Sequence, residues 1–461
     1  MWTRRAASAL LVAAAAGGGA RAANLAPPGS RRAEVQALRR FCEATHPEGP
    51  RAALSADWRA RADDLADKAD AMDLSRYAVE MGRLIGWFKD GHTALIIYEF
   101  DRGAFGLRLP VKTDAFHDGL YVTAAKDEAA PLLGARITRL AGTPIEIVMR
   151  RFSDAWPKAN PAWAHRWAPL LLRTPGLLQG LGLASGPDDA PILVEGLIGG
   201  GSTPVAVALL PRTGAQVGRI DLGRTPSALE AYAATQAFGP QPDATEDGRN
   251  FVWRMPGGAA LYVCLDRVGD DDFSKPWAVF EREVFAALDD LGPGRLVVDL
   301  RRNGGGDNTL PEPLRHRIGR SHYNRPGGIY VLTSPQTFSA AQNLATRLER
   351  ETYARFVGEP TGLSPNHCGD SAPFESKLTD LPIYVSALRW QDMPPQDQRP
   401  WIAPDLFAPR LFSDWRSGHD AALEAALSDQ PPGTLDDHSL TAPWERASQA
   451  RAWTPFWMSP G

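Results

Sequence analysis

The sequence predicts an α/β fold, and three observations predict it. From Phe251 onward, short apolar β-prone runs alternate with segments whose apolar residues recur at helical spacing. The stretches that leave three of those runs, Asn303-Gly304-Gly305-Gly306, Ser334–Ser339 and Gly358–Gly362, are polar or glycine-rich. From Arg31 to about Asp90 the pattern is helical alone. Strands alternating with helices imply a largely parallel sheet, and ligands collect at the carboxyl ends of its strands. The three special stretches should therefore share one edge.

Taken in order, the chain opens with a leader. Arg4-Arg5 precede the apolar run Ala6–Ala16, and an A-x-A pattern ends at Ala22, the layout of a secretory signal peptide over residues 1–22. The run is too short for a lasting anchor, so an exported protein, periplasmic or secreted, with no stable membrane insertion is expected. Val35, Leu38 and Cys42, then Leu65, Ala69 and Met72, then Val79, Met81, Leu84 and Ile85 mark apolar helix faces. That helical region ends at Asp90-Gly91-His92-Thr93, where a strand over Ala94–Tyr98 follows and His92 takes the corner.

Gly119–Thr123 reads as a strand, and Gly134–Ile145 as a strand, a tight turn at Ala141-Gly142 and a helix from Pro144. The second resembles the G-x-R-I-x-x-L-x-G-x-x-I hairpin of PDZ domains, which hold extended peptides by strand addition. Leu170–Leu183 suggests helical packing, and Ile192–Ile198 and Val205–Leu210 suggest strands. Next come a strand at Leu261–Leu265, a helix at Ser274–Leu291 with Ser274 as its cap, and a strand at Arg295–Leu300. A helix at Leu310–Ile318, a strand before Ser334, a helix at Phe338–Arg350, a strand at Ala354–Val357 and a helix at Asp420–Leu427 complete the alternation. Residues 429–461 are rich in proline and tryptophan and lack periodicity.

Composition narrows the function. The 461 residues are 44% hydrophobic and 23% charged, ordinary for a soluble globular protein of two or three domains. A formal net charge of -4 gives no electrostatic case for nucleic acid or an anionic membrane. Cys42, Cys264 and Cys368 are scattered without CxxC spacing, which argues against a zinc site or a disulfide framework, though a single bridge stays open. No metal or cofactor is implied.

Ser339 falls where a strand, a turn and a helix meet. A hydroxyl there sits beside unpaired backbone N–H groups and the positive end of a helix, as a serine nucleophile requires. Ser339-Ala-Ala-Gln342 equally fits the S-x-x-Q capping box, in which serine only caps the helix. His92 has two readings as well, a polar turn residue or a base with a pKa near neutrality.

The motifs Thr45-His46-Pro47, Asp90-Gly-His-Thr93, Val298-Asp-Leu-Arg-Arg-Asn-Gly-Gly-Gly306, Thr337-Phe-Ser-Ala-Ala341, Gly358-Glu-Pro-Thr-Gly362 and Trp401-Ile-Ala-Pro-Asp405 add a further layer. Their order resembles the tail-specific (C-terminal processing) protease family, in the branch allied with the tricorn core protease and interphotoreceptor retinoid-binding protein repeats. The resemblance implies an α/β fold with a crotonase-like core, an N-terminal helical domain and a PDZ-like β-rich insert. Boundaries follow at 23–98 for the helical domain, 99–155 for the PDZ-like part, 156–250 for a mixed linker region and 251–428 for the core. It also implies a serine-type peptidase acting on peptide or protein substrates, with Ser339 as nucleophile and His92 as base. Gly305 or Gly306 with the N–H of Ala340 would form the oxyanion hole. Asp397, with Asp392 second, stands near the family's acidic position, and His367 is a rival base. The processing peptidases proper use a lysine after G-E-x-T-x-G, and here Gly362-Leu-Ser-Pro-Asn-His367 has none. The same scaffold also carries silent lipid- or peptide-binding modules, which is the alternative. Oligomeric state is not legible.

Overall fold

The computed structural model describes residues 29–125, 127–156, 158, 160–213, 250–270, 275–290, 292, 294–430 and 453–458. The signal peptide, the Ser274 cap and most of the 429–461 tail lie outside the described residues. Contacts divide the chain into two compact units.

One unit carries the sheet that the alternation predicts. Strands β1 (Phe251–Arg254), β2 (Ala260–Cys264), β3 (Arg295–Asp299), β4 (Ile329–Thr333), β5 (Arg355–Gly358) and β6 (Leu406–Phe407) lie side by side in that order. The β1–β2 pair is antiparallel and every other pair is parallel. Helices α1 (Trp277–Asp289), α2 (Glu312–Arg320) and α3 (Ala340–Glu351) run between strands, and α4 (Ala421–Ser428) follows β6. Both sheet faces are covered, which is why β2 to β5 read as continuous apolar runs rather than alternating ones. Leu261, Val263, Leu296, Val298, Ile329, Val331 and Phe356 pack with Phe280, Val284, Leu314, Ile318, Leu344 and Leu348. Tyr262, Val297, Tyr330, Leu332 and Val357 pack with Ala422, Leu423 and Ala426 on the other face.

Two expected boundaries shift for local reasons. The helix expected from Phe338 begins at Ala340, because Ser339 has φ 55 and ψ -127, outside the helical region. α1 begins at Trp277 with Pro276 as its N-cap residue, and the Trp277 N–H donates to the Asp270 carboxylate at 2.5 Å.

The other unit gathers the described residues before 222 with Cys368–Arg389 and the last residues from Pro455. Residues 368–389 cluster in this unit. Helices Arg31–Thr45, Gly49–Leu54, Ala56–Lys68 and Leu74–Ile85 match the expected helical region. A sheet of Val111–Phe116, Gly119–Ala125, Arg136–Leu140, Ile192–Ile198 and Thr203–Leu209 follows, with the helix Ile145–Ala155. The tight turn falls at Ala141 and Gly142, both at positive φ (49 and 70), as a two-residue hairpin of the primed type demands. Leucine-rich 170–183 holds the end of one short helix, Ala162–Leu171, and the whole of a second, Pro175–Gly180. The strand expected over Ala94–Tyr98 spans only Ala94–Leu95, antiparallel to Ile383–Val385. One more bond, Ile96 N–H to Pro382 O at 2.8 Å, prolongs it before the chain turns at Ile97–Glu99 and stacks Tyr98 on Trp167. All three cysteines are free and buried, so the bridge left open by sequence does not form.

Candidate active site

The three special stretches meet at the carboxyl ends of β3, β4 and β5. Thr337 Oγ1 donates to Leu300 O at 2.9 Å, Phe338 N–H to Asn303 O at 3.0 Å, and Gly362 N–H to Thr337 O at 2.9 Å. Thr333 and Glu359 bind each other twice, through Thr333 Oγ1 to Glu359 O at 2.8 Å and Glu359 N–H to Thr333 O at 3.0 Å. Each loop is thus held by its neighbour at the strand end.

Ser339 heads α3 without capping it. Its side chain makes no cap hydrogen bond. Gln342, the other half of the supposed capping box, is fully buried and donates its Nε2 to Thr346 Oγ1 at 3.3 Å. The capping reading therefore fails at both ends. A non-glycine residue at φ 55 and ψ -127 is strained, and such strain persists where the surrounding structure over-determines it. Here the hydrogen bonds of Thr337 and Phe338 fix the turn. The hydroxyl is half-buried at the positive end of a twelve-residue helix.

The glycine loop lies directly against this serine. A Cβ on Gly305 would stand 2.4 Å from Ser339 Cβ, 3.0 Å from its Oγ and 3.1 Å from the Ala340 nitrogen. Gly305 also has φ 112, so both space and backbone conformation demand glycine. The Gly305 N–H donates to Asn303 Oδ1 at 2.8 Å. Gly306 pairs with Val268 through its neighbours, Val268 N–H to Gly305 O at 3.0 Å and Asp307 N–H to Val268 O at 2.9 Å. In parallel pairing that pattern turns the N–H of Gly306 away from Val268. As the first residue of α3, Ala340 has no intrahelical acceptor for its N–H.

Both acidic candidates are held in ion pairs within the same unit. Asp397 is buried, and both its oxygens meet the Arg399 guanidinium at 2.8–3.2 Å, while Arg399 also forks onto Glu349 at 2.8 Å. Asp392 accepts from Arg347 Nε at 2.9 Å and from Asn343 Nδ2. The rival base His367 is buried, and its Nδ1 faces Ser364 O at 3.2 Å. A carbonyl can only accept, so Nδ1 carries a proton. Glu359 is buried beside these loops. Burial pushes its carboxyl up to about 7 against the pull of Arg410, Trp453 and Arg301.

His92 belongs to the other unit and is 4% exposed. Its corner is built on Asp90, whose Oδ1 accepts the N–H groups of His92 and Thr93, each at 2.7 Å. Ser386 Oγ donates to the same oxygen at 2.9 Å, and Ser371 Oγ donates to His92 O at 3.1 Å. Asp90 Oδ2 takes His46 Nε2 at 2.9 Å. Burial alone would push the Asp90 carboxyl up, but the His46 bond and the Lys158 charge outweigh it and hold it below the usual carboxylate range. Lys158, whose Nζ donates to Thr93 O, is drawn down by burial to about 8. Sequence reasoning gave no role to His46, Lys158, Ser371 or Ser386. Thr45-His46-Pro47 carried a signal, but nothing local could show that residues almost three hundred positions downstream reach the same corner.

Among the described residues no group of histidine, cysteine and acidic side chains could hold a metal ion, and no helix is long and apolar enough to cross a membrane.

No family model matches the sequence, and no curated protein does. Solved structures do. A serine-to-alanine mutant of CPAF superposes with a TM-score of 0.56 at 13% identity, covering 87% of this chain and 98% of that one. Mature CPAF complexed with lactacystin gives 0.54 at 13% identity, with 84% and 94% covered. The photosystem II D1 C-terminal processing protease gives 0.38 at 14% identity, with 86% and 99% covered. At such identities the likeness to the two CPAF structures is one of architecture: the chain shares the CPAF fold.

Proposed function

We propose that this chain is an exported serine-type peptidase that cleaves peptide or protein substrates through an acyl-enzyme on Ser339. The carrying observation is Ser339 itself: a strained, uncapped hydroxyl at a helix N-terminus with a side-chain-free glycine loop against it. In this reading the core is crotonase-like, and the hairpin sheet with its helix is a PDZ-like insert that offers a strand edge to peptides. His92 takes the Ser339 proton as the hydroxyl attacks the carbonyl carbon, and returns it to the leaving amine. During the attack negative charge builds on the carbonyl oxygen, the N–H groups of Ala340 and Gly306 are the donors for it, and the charge returns to the C=O bond as the protonated amine leaves. Gly306 is preferred over Gly305, whose N–H is already given to Asn303. Asp397 keeps the role of third residue that the motif order suggests. The leader at 1–22 directs export.

The alternative, a silent binding module, has no observation in its favour, since binding alone does not call for a strained serine at a helix start. A p-nitrophenyl ester that acylates serine hydrolases separates the two. A burst of one p-nitrophenolate per chain followed by slow turnover is expected. His92→Ala should cut turnover by about 10⁴-fold while leaving the thermal transition in place. Near-wild-type turnover in His92→Ala would transfer the base role to His367. No burst in the wild type would favour the binding module.

A further inference from the structure

Two of the motifs meet inside one unit in a way that the reaction above does not use. Helix Arg31–Thr45 ends at His46, whose buried ring lies 4.0 Å from that of Phe88 and faces Asp90 across 44 residues of sequence. We infer that His46 and Asp90 are a coupled pair of positioning residues for His92: a neutral imidazole confined to one tautomer orients the carboxylate that fixes the His92 backbone. The inference rests on His92 being the base proposed above.

The tautomer follows from the partners. The Glu48 N–H donates to His46 Nδ1 at 2.9 Å, so Nδ1 carries no proton. The ring proton is then on Nε2 and is given to Asp90 Oδ2 at 2.9 Å. The two side chains are 1% and 9% exposed, so water does not compete for this bond. With Oδ2 so occupied, Oδ1 is aimed at the N–H groups of His92 and Thr93 and at Ser386 Oγ. Ser371 Oγ holds the carbonyl of His92, and Lys158 Nζ that of Thr93. Ser386 N–H donates to Thr93 Oγ1 at 3.1 Å, closing the corner against the strand Ile383–Val385. Both polar groups of the His92 backbone are thereby pinned.

This arrangement requires an acceptor-only side chain at position 90. An amide there would turn its NH₂ either toward His46 Nε2–H or toward two backbone N–H groups. His46 cannot yield by moving its proton to Nδ1, because Nδ1 would then meet the Glu48 N–H. A residue that merely tied the helix end to the corner would carry no such constraint.

The test measures fluorophosphonate labelling of the full-length protein, as maximal rate and half-saturating probe concentration, alongside melting temperature. His46→Phe and Asp90→Asn should lower the maximal rate about 10²-fold, as misplacement of a base by an ångström does, without changing half-saturation. His46→Gln keeps an N–H donor for Asp90 and should recover to within about tenfold of wild type. A lowered melting temperature with a wild-type maximal rate in His46→Phe would overturn the inference and leave the pair structural. Should His46→Phe and Asp90→Asn not fold, His46→Gln decides alone: recovery supports the donor role, and a folded but slow His46→Gln overturns it. Wild-type protein that does not label at all overturns the peptidase reading, and this inference with it. A wild type that labels beside an equally reactive His92→Ala removes only the role of His92 and what depends on it.

Discussion

At the scale of single residues, the site is decided by one side chain that is present and one that is missing. Ser339 occupies a backbone conformation that costs on the order of 1–3 kcal/mol, and the absence of a Cβ at Gly305 is what lets the glycine loop lie on it. Adding one methyl group therefore has a calculable effect. In Gly305→Ala the new Cβ would sit 2.4 Å from Ser339 Cβ, so either the loop or the serine must move. Displacing a nucleophile by an ångström costs about 10²-fold, so acylation should fall by at least that factor while the melt stays cooperative. Steady-state ester hydrolysis and a thermal melt on the same sample check both halves, and a Gly305→Ala enzyme of normal activity would show that the loop does not shape the nucleophile.

At the scale of elements, parallel strands and their helices deliver three loops to one edge, and a buried ion cluster ties the far layer to that sheet. Arg301, just past β3, forks onto Asp299 at 2.7–3.1 Å and onto Asp420 at 2.7–2.9 Å. Asp420 is also the N-cap of α4, accepting the Leu423 N–H at 3.0 Å, and Tyr262 Oη donates to Asp299. Arg301→Met would leave two largely buried carboxylates without their shared cation, at a cost of about 3–5 kcal/mol. The denaturant midpoint should drop accordingly, and a change below about 1 kcal/mol would place this cluster among weak surface pairs. The alternation that predicts these elements was legible because core strands bury both faces and keep a continuous apolar run. Positions 338 to 340 were misread by two residues because helical apolar spacing cannot register one residue forced to positive φ. Asp90 illustrates the opposite limit: its motif was visible, but the partners that give it meaning, Ser371 and Ser386, lie in a segment that returns from far along the chain.

At the scale of the whole molecule, two buried carboxyl groups give stability opposite dependences on pH. Asp90 has a folded-state pKa below its unfolded value, so its contribution is present above about pH 4 and is lost as the pH falls further. Glu359 is raised to about 7, so its contribution is complete below about pH 4 and is lost as the pH rises through about 7. Glu359→Gln carries no charge to desolvate. Compared with wild type, it should gain up to about 3 kcal/mol of relative stability between pH 5 and pH 8. Calorimetry of both proteins at those two pH values checks this, and parallel pH dependences would mean that Glu359 is solvated or paired when ionised. The division into two units was less legible than the fold of either, since Cys368–Arg389 leaves the core in mid-sequence to pack with residues near the start.

The central claim is that Ser339 is an activated nucleophile, and intact-mass spectrometry after treatment with a fluorophosphonate, followed by peptide mapping, tests it most directly. One adduct per chain on the peptide that holds Ser339, absent in Ser339→Ala, is the predicted result. An unmodified wild-type chain, or an adduct that persists on another residue in Ser339→Ala, would contradict it.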